Sequence, residues 1–181
     1  MEYQVEDVVL YIIRKMGEVQ GMKKLMKLVF LTQYESKWRL GRVIVKYTYG
    51  GHPASRAEFY IWSFGPMSNE VYDAVEGLEE RGLVEMRFGE YTEIVAKGGQ
   101  GVFLPPPVAA RLDEVVEKYG RRRGWELERI VNEMLGLDIE EKKLEYLGLP
   151  VDKYLELEGV RLEKKELAHG RYKAEPQPPS G

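Results

Sequence analysis

The residue whose type and setting first suggest chemistry is Ser68, in the stretch FGPMSNE. A serine at a tight turn can act as a nucleophile if a base such as histidine activates it. The chain has two histidines, His52 in a glycine-rich loop and His169 near the carboxyl end, and the turn does not match the nucleophile motif G-x-S-x-G. We therefore interpret Ser68 as a helix N-cap, predict no catalytic residue and expect that the protein is not an enzyme.

Metal and cofactor chemistry also has few residues to draw on. Cysteine is absent, and the acidic residues are mostly glutamates on helix surfaces, such as Glu76, Glu79 and Glu80. The glycines at 98–101 lack the strand-to-helix setting in which such loops bind phosphate. We therefore expect no metal and no cofactor.

Basic side chains form two groups that could bind an acidic partner. One group lies on and after the second predicted helix, and the other lies in a loop between two later helices. The residues are Lys23, Lys24, Lys27, Arg39 and Arg42, and then Arg121, Arg122 and Arg123. Three interpretations stay open: a hydrated surface, a patch that binds phosphate or acidic groups, or a contact with the acidic helix of a second copy in a homodimer.

The segment that follows Ser68 is strongly acidic. Residues 62–96 contain two Lys and Arg against eight Asp and Glu, whereas residues 1–61 contain ten against six. Helical spacing places Val71, Val75 and Leu78 on an inner stripe. The outer surface of this helix would carry Glu70, Asp73, Glu76, Glu79 and Glu80. Because carboxylates oppose contact with DNA phosphates, we do not expect this helix to enter a DNA groove.

Hydrophobic spacing and turn residues predict the elements that position these side chains. Helices are expected at 4–16, 22–38, 69–81, 108–120 and 124–136, and strand pairs at 42–49 with 58–64 and at 83–88 with 91–96. Gly65 and Pro66 form the corner before Ser68, and Gly82 ends the acidic helix. Cross-strand packing is the preferred interpretation of four aromatic residues, which are Tyr47, Tyr49, Tyr60 and Trp62. Any of them that are exposed would instead form a platform for base stacking or protein docking.

This order of elements predicts an α+β fold that is mostly helical. Residues 1–136 would form a winged helix-turn-helix-like domain with two short β-hairpins, followed by a helical extension at 137–173 and a disordered tail at 174–181. No apolar run approaches the roughly 18 residues of a membrane span, and no basic segment opens the chain as in a signal peptide. We expect a cytoplasmic location and no membrane partner. The composition, rich in Glu and free of Cys, is typical of proteins from hot environments.

Three stretches resemble a known family: KKLMKLVFLTQY (23–34), FYIWSFGPMSNEVYDAVEGLEERGLVE (59–85) and EKYGRRRGWELERIV (117–131). They are similar to Panacea-type, SocA-like prokaryotic proteins and related winged-helix families of unassigned role. Leu25, Lys27 and Leu28 match that family's Leu-x-Lys-Leu motif. Its aromatic-Gly-Pro-hydroxyl turn is matched by Phe64, Gly65, Pro66 and Ser68. The resemblance implies a non-enzymatic antitoxin or adaptor that binds a partner protein, although residues 137–181 have no counterpart in it.

Together these features predict a prokaryotic regulatory or adaptor protein that binds another protein through its charged surfaces. The alternative is a nucleic-acid-binding protein that uses the lysines of the second helix and the arginine loop at 121–123.

Overall fold

The computed structural model describes residues 2–38 and 41–167, which form an α+β fold. The helices are α1 (Val5–Met16), α2 (Met22–Gln33), α3 (Asn69–Glu80), α4 (Pro106–Tyr119), α5 (Gly124–Leu135), α6 (Glu140–Glu145) and α7 (Val151–Leu157). The strands are β1 (Glu18–Val19), β2 (Tyr34–Trp38), β3 (Arg42–Tyr49), β4 (His52–Pro53), β5 (Tyr60–Trp62), β6 (Gly65–Met67), β7 (Val84–Arg87), β8 (Glu93–Ala96) and β9 (Arg161–Glu166). Mixed α+β structure is therefore confirmed.

Helix α2 occupies the centre of the molecule. Its sequence is made of good helix formers with apolar side chains on every side, and all residues from Lys24 to Gln33 are buried. Helices α1, α4 and α5 and strand β3 pack around it. A helix enclosed in this way must satisfy each of its polar groups inside the protein.

Helix α2 ends five residues earlier than its spacing predicts. Tyr34 adopts an extended conformation, and the residues from Tyr34 to Trp38 pair with β3 as an antiparallel strand. The carbonyls of the last turn are taken by Arg111 of α4, whose Nε donates to Thr32 O at 3.1 Å and whose Nη2 donates to Leu31 O at 2.8 Å. The predicted helix 22–38 is therefore wrong beyond Gln33, because a distant arginine and a strand satisfy the backbone.

The predicted hairpin between 42–49 and 58–64 is also wrong. Strand β3 pairs with β2 on one side and, in parallel, with β9 on the other, while β4 pairs with the end of β3. Strand β5 pairs instead with β6 across a turn at Ser63 and Phe64, so Gly65 and Pro66 lie at the start of β6 and not in the turn itself as predicted. The alternating residues of β3 identify it as a strand but carry no information about which segment lies beside it.

The residues after 136 are only partly helical. Helices α6 and α7 agree with the predicted helical extension, but residues Arg161–Glu166 form β9 and join the sheet of β3. Their β-pairing overrides the high helix propensity of this Glu- and Lys-rich segment. The predicted tail at 174–181 lies outside the described residues.

A second sheet joins the amino-terminal strand to the pair that follows α3, in the order β1–β8–β7. Helix α3 packs against α1. Gly82 has a φ of 74° and ends α3 as predicted, since Leu83 N donates to Leu78 O across it. The pair β7–β8 is present, but its loop runs from Phe88 to Thr92 and is longer than the two-residue turn that Gly89 suggests.

Replacing Arg111 by methionine should destabilise the protein strongly. Loss of the guanidinium leaves the buried carbonyls of Leu31 and Thr32 without donors. The guanidinium also contacts Glu114 at 2.7 Å and lies 4.1 Å from the centre of the Tyr47 ring, and both contacts are lost with it. We expect the free energy of unfolding, measured by chemical denaturation, to fall by about 3–5 kcal/mol. The exposed-site control Arg121→Met should change it by less than about 0.5 kcal/mol. A similar small change for both variants would contradict this role.

Candidate binding surfaces around the Gly-Pro corner

A buried lysine of α2 holds the Gly-Pro pair at the start of β6 in place. Lys27 Nζ donates a hydrogen bond to the carbonyl oxygen of Pro66 at 3.0 Å, and the Lys27 residue is only 2% exposed. Burial lowers the pKa of this amine to about 8, although the carboxylate of Glu128 opposes the shift. Two of the three stretches that carry the family resemblance, 23–34 and 59–85, therefore meet in space at this contact.

Gly65 allows helix α5 to approach the corner. Its φ of 102° is unfavourable for residues with a side chain, and an added Cβ would lie 2.6 Å from Asn132 Oδ1 and 3.5 Å from Lys27 Nζ. Asn132 Oδ1 is buried and has no hydrogen-bond partner among the described residues. Asn132 is not among the residues predicted from the sequence, although an asparagine beside the apolar stripe of Leu127 and Val131 is a usable signal.

Ser68 occupies the N-cap position of α3, as predicted, but its hydroxyl does not cap the helix. The residue is fully buried, and its Oγ donates to Glu70 Oε1 at 3.5 Å while its backbone N–H contacts Met26 Sδ at 3.3 Å. The Glu70 carboxylate also accepts a bond from the backbone N–H of Glu58 at 2.7 Å. Ser68 thus joins α3 to α2 and to the preceding loop. His52 lies exposed on β4, and His169 lies outside the described residues.

The predicted basic face on α2 is wrong for two of its three lysines. Lys24 and Lys27 are 8% and 2% exposed, because α2 is covered on all sides. Burial also lowers the pKa of Lys24, and the nearby charge of Glu126 opposes this shift. Lys23 is half-buried and forms a salt bridge of 2.8 Å with Glu128. One paired lysine therefore remains accessible on this helix.

The other predicted basic residues fall into separate places. Arg42 is partly buried beside Gly136, and Arg39 lies outside the described residues. Arg121, Arg122 and Arg123 are exposed in the turn between α4 and α5. The structure therefore does not bring the two groups into one large basic patch, but it leaves the arginine loop at the surface.

The outer side of α3 is acidic, as predicted. Val71, Ala74, Val75 and Leu78 are buried. The acidic face of α3 consists of five exposed residues, Glu70, Asp73, Glu76, Glu79 and Glu80. Within residues 2–38 and 41–167, the last four of these form no ion pair. Tyr72 is also exposed on this helix. The carboxylates therefore face outward, where a partner could reach them.

The four strand aromatics differ in their surroundings. Tyr47 is buried under Arg111, and Tyr49 lies against Tyr3 with ring centroids 6.3 Å apart. Tyr60 and Trp62 contact each other edge to face at 5.8 Å, and Trp62 is exposed. The predicted packing across the pair 42–49 and 58–64 is wrong, because these segments do not pair.

Among the described residues, no three His, Cys, Asp or Glu side chains are grouped so that they could hold a metal ion. In the same part of the chain, no helix has both the length and the apolar character needed to cross a membrane.

Comparisons with family models, with curated proteins and with solved structures find no match to this chain. The resemblance to Panacea-type proteins therefore stays a prediction from the motifs that meet at Lys27 and Pro66.

Replacing Gly65 by alanine should destabilise the protein more than an unfavourable φ alone explains. Gly148 has a similar φ of 87° but open space around it, so Gly148→Ala isolates the backbone cost of roughly 1–2 kcal/mol. The collision with Asn132 should add about 1–3 kcal/mol for Gly65→Ala. Denaturant unfolding of both variants measures the difference. Equal losses would show that α5 does not depend on the missing Cβ.

The buried amine of Lys27 should make stability depend on pH in the alkaline range. Because the folded state lowers its pKa from 10.5 to about 8, the protonated amine costs stability at neutral pH, and this cost disappears as pH rises through that interval. The unfolding free energy of wild type minus that of Lys27→Met should therefore rise by roughly 2–3 kcal/mol between about pH 7.5 and pH 10. A difference that stays constant over this range would contradict the buried state of the amine.

Proposed function

We propose that this protein is a non-enzymatic regulatory or adaptor module of winged-helix type that binds a partner protein. The proposal starts from topology. Helix α1, strand β1, helices α2 and α3, and the pair β7–β8 follow one another with strand order β1–β8–β7. Residues 34–67 then form an insertion between the second and third helices of the winged unit.

The acidic face of α3 is the observation that carries the proposal. In winged-helix proteins that read DNA, the helix before the wing enters the major groove and lies close to phosphates. Here that helix presents the outward carboxylates of Asp73, Glu76, Glu79 and Glu80, which neutralise no phosphate and therefore oppose the release of counterions from DNA. The face is suited instead to a partner protein with a basic surface, since complementary charge accelerates and selects such encounters.

Exposed aromatic side chains give such a partner apolar contact area. Phe88 and Tyr91 lie at the tip of the β7–β8 loop, and Tyr72 lies on α3 itself. Tyrosine and other aromatic residues are enriched at protein interfaces, where they supply much of the binding energy. The motif resemblance supports the same kind of function, an antitoxin or adaptor in the cytoplasm of a thermophilic prokaryote.

Duplex DNA is the less favoured ligand. Its predicted site needs Lys23, Lys24 and Lys27 at the surface, but two of these are buried and the third is paired with Glu128. Protein binding therefore has the better support.

Reversing charge on the acidic face should remove the partner. The tagged chain is used to recover proteins from the source cells, in parallel with Glu76→Lys/Glu79→Lys and with the control Glu117→Lys/Glu133→Lys. The control changes the same number of exposed helical glutamates on α4 and α5. We expect one stoichiometric partner with wild type and control, and at least a roughly tenfold loss with the acidic-face variant, measured by quantitative mass spectrometry. Recovery that is unchanged by the acidic-face variant would refute the proposal.

A further inference from the structure

A second surface lies at the turn between α4 and α5, where basic and aromatic side chains alternate. We define this aromatic-basic surface by six residues, Lys23, Phe64, Arg121, Arg122, Arg123 and Trp125. Phe64 and Trp125 expose 54% and 55% of their surface, a large fraction for aromatic residues of a folded protein. All three arginines are exposed as well.

Contacts of Lys23 bring Phe64 close to the first residue of α5. Lys23 Nζ lies 4.6 Å from the centre of the Phe64 ring. The aliphatic part of Lys23 packs on the first turn of α5, because its Cδ lies 3.6 Å from the position that a Cβ of Gly124 would take. Gly124 stands between Arg123 and Trp125 in the chain. Lys23 therefore lies between the Phe64 ring and the start of α5, and Arg129 lies 5.4 Å from the centre of the Trp125 ring.

The surface keeps a positive charge after its neighbours are counted. Glu128 pairs with Lys23 at 2.8 Å, and Glu126 lies 3.9 Å from Arg122. Arg121 and Arg123 have no carboxylate within salt-bridge distance among the described residues. Two guanidinium groups are thus available for phosphate, which they bind in a planar, bidentate manner.

A small cavity opens beside the Trp125 ring. It has a volume of about 230 Å³ and is lined in part by Trp125, Arg129, Asn132 and Lys143. Asn132 and Lys143 are each 6% exposed; the Oδ1 of Asn132 is buried against Gly65, and the Lys143 amine donates to Ser63 O at 3.0 Å. The carboxylates of Glu128 and Asp138 also contribute to the wall, beside the guanidinium of Arg129. The cavity therefore contains both donors and acceptors, which is the combination that the edge of a nucleobase requires.

We propose that the aromatic-basic surface binds single-stranded nucleic acid. Bases stack on Trp125 and Phe64, Arg121 and Arg123 contact the phosphates, and the cavity beside Trp125 receives the edge of one base. Stacking platforms within a basic surface are the general means of binding single strands.

Other ligands fit this surface less well. The bases of a duplex are stacked on each other and are not available to stack on Trp125 and Phe64. An acidic peptide would gain charge pairing but has no planar groups to match both rings. This inference does not depend on the proposed protein partner.

The test uses fluorescence anisotropy with labelled 15-nucleotide oligo(dT) and oligo(rU), which distinguish DNA from RNA, and with a duplex of the same length. We expect binding to at least one single strand and at least tenfold weaker binding to the duplex. Trp125→Ala should weaken single-strand binding by roughly 5- to 150-fold, as expected for the loss of one stacked base. The control Trp38→Ala removes a more exposed tryptophan from β2 and should have no effect.

The phosphate contacts are tested by salt dependence. Arg121→Glu/Arg123→Glu should reduce the slope of log affinity against log salt by about 1.4, since each phosphate contact with a single strand contributes about 0.7. The control Lys153→Glu/Arg161→Glu changes two exposed basic residues elsewhere and should leave the slope unchanged. Thermal unfolding followed by circular dichroism checks that each variant is folded.

Three results would overturn the inference: no binding to either oligonucleotide at low salt, equal binding of the duplex, or binding that Trp125→Ala does not weaken. Competition by polyglutamate at equal charge concentration would point to an acidic protein as the ligand and would also overturn it. None of these results bears on the recovery of a partner by the acidic face of α3.

Discussion

The burial of α2 from Lys24 to Gln33 is the constraint on which the rest of the structure depends. A buried helix must pair every polar group that it carries inside the protein, because an unpaired group loses its hydration without compensation. Arg111 therefore reaches the last carbonyls of α2, and Lys27 reaches the carbonyl of Pro66. Gln33 accepts a bond from Ser55 Oγ and donates to the carbonyl of Ala57 at 3.2 Å. Each of these bonds holds a segment that is distant in sequence. The bonds of Lys27 and Gln33 therefore fix the positions of Pro66, Ala57 and Ser55 against α2.

The sequence predicts best those features that depend on local spacing alone. The inner stripe of Val71, Val75 and Leu78, the acidic outer side of α3 and the Gly82 terminus all follow from neighbours within one or two turns. The strands that pair with β3 do not, because alternation specifies a buried side but not a partner. Strand β9 lies more than 110 residues after β3, and its residues are charged and partly exposed. No local pattern distinguishes it from an amphipathic helix.

The lysines of α2 illustrate the same limit in the prediction of a site. Lys23 and Lys27 are one helical turn apart, and on a surface helix this spacing gives a basic stripe. The apolar residues of α2 form a broad set and leave no polar side, which is evidence for burial that outweighs the charge pattern. Lysine can be buried when its amine finds an acceptor, and the Pro66 carbonyl provides one. The exposed rings of Phe64 and Trp125 could not be predicted, since a lone aromatic residue near a turn is equally consistent with the core.

The corner that these bonds create holds both candidate surfaces in fixed positions. Phe64 of the aromatic-basic surface immediately precedes Gly65, and the first residue of α3 follows Ser68. Between them the backbone is fixed by Lys27 from α2, by the close approach of Asn132 from α5 and by the complete burial of Ser68. A shift transmitted from one surface to the other would have to break the Lys27 hydrogen bond and leave a buried amine without an acceptor, which is costly. The arrangement therefore holds the two candidate surfaces at a constant distance from each other.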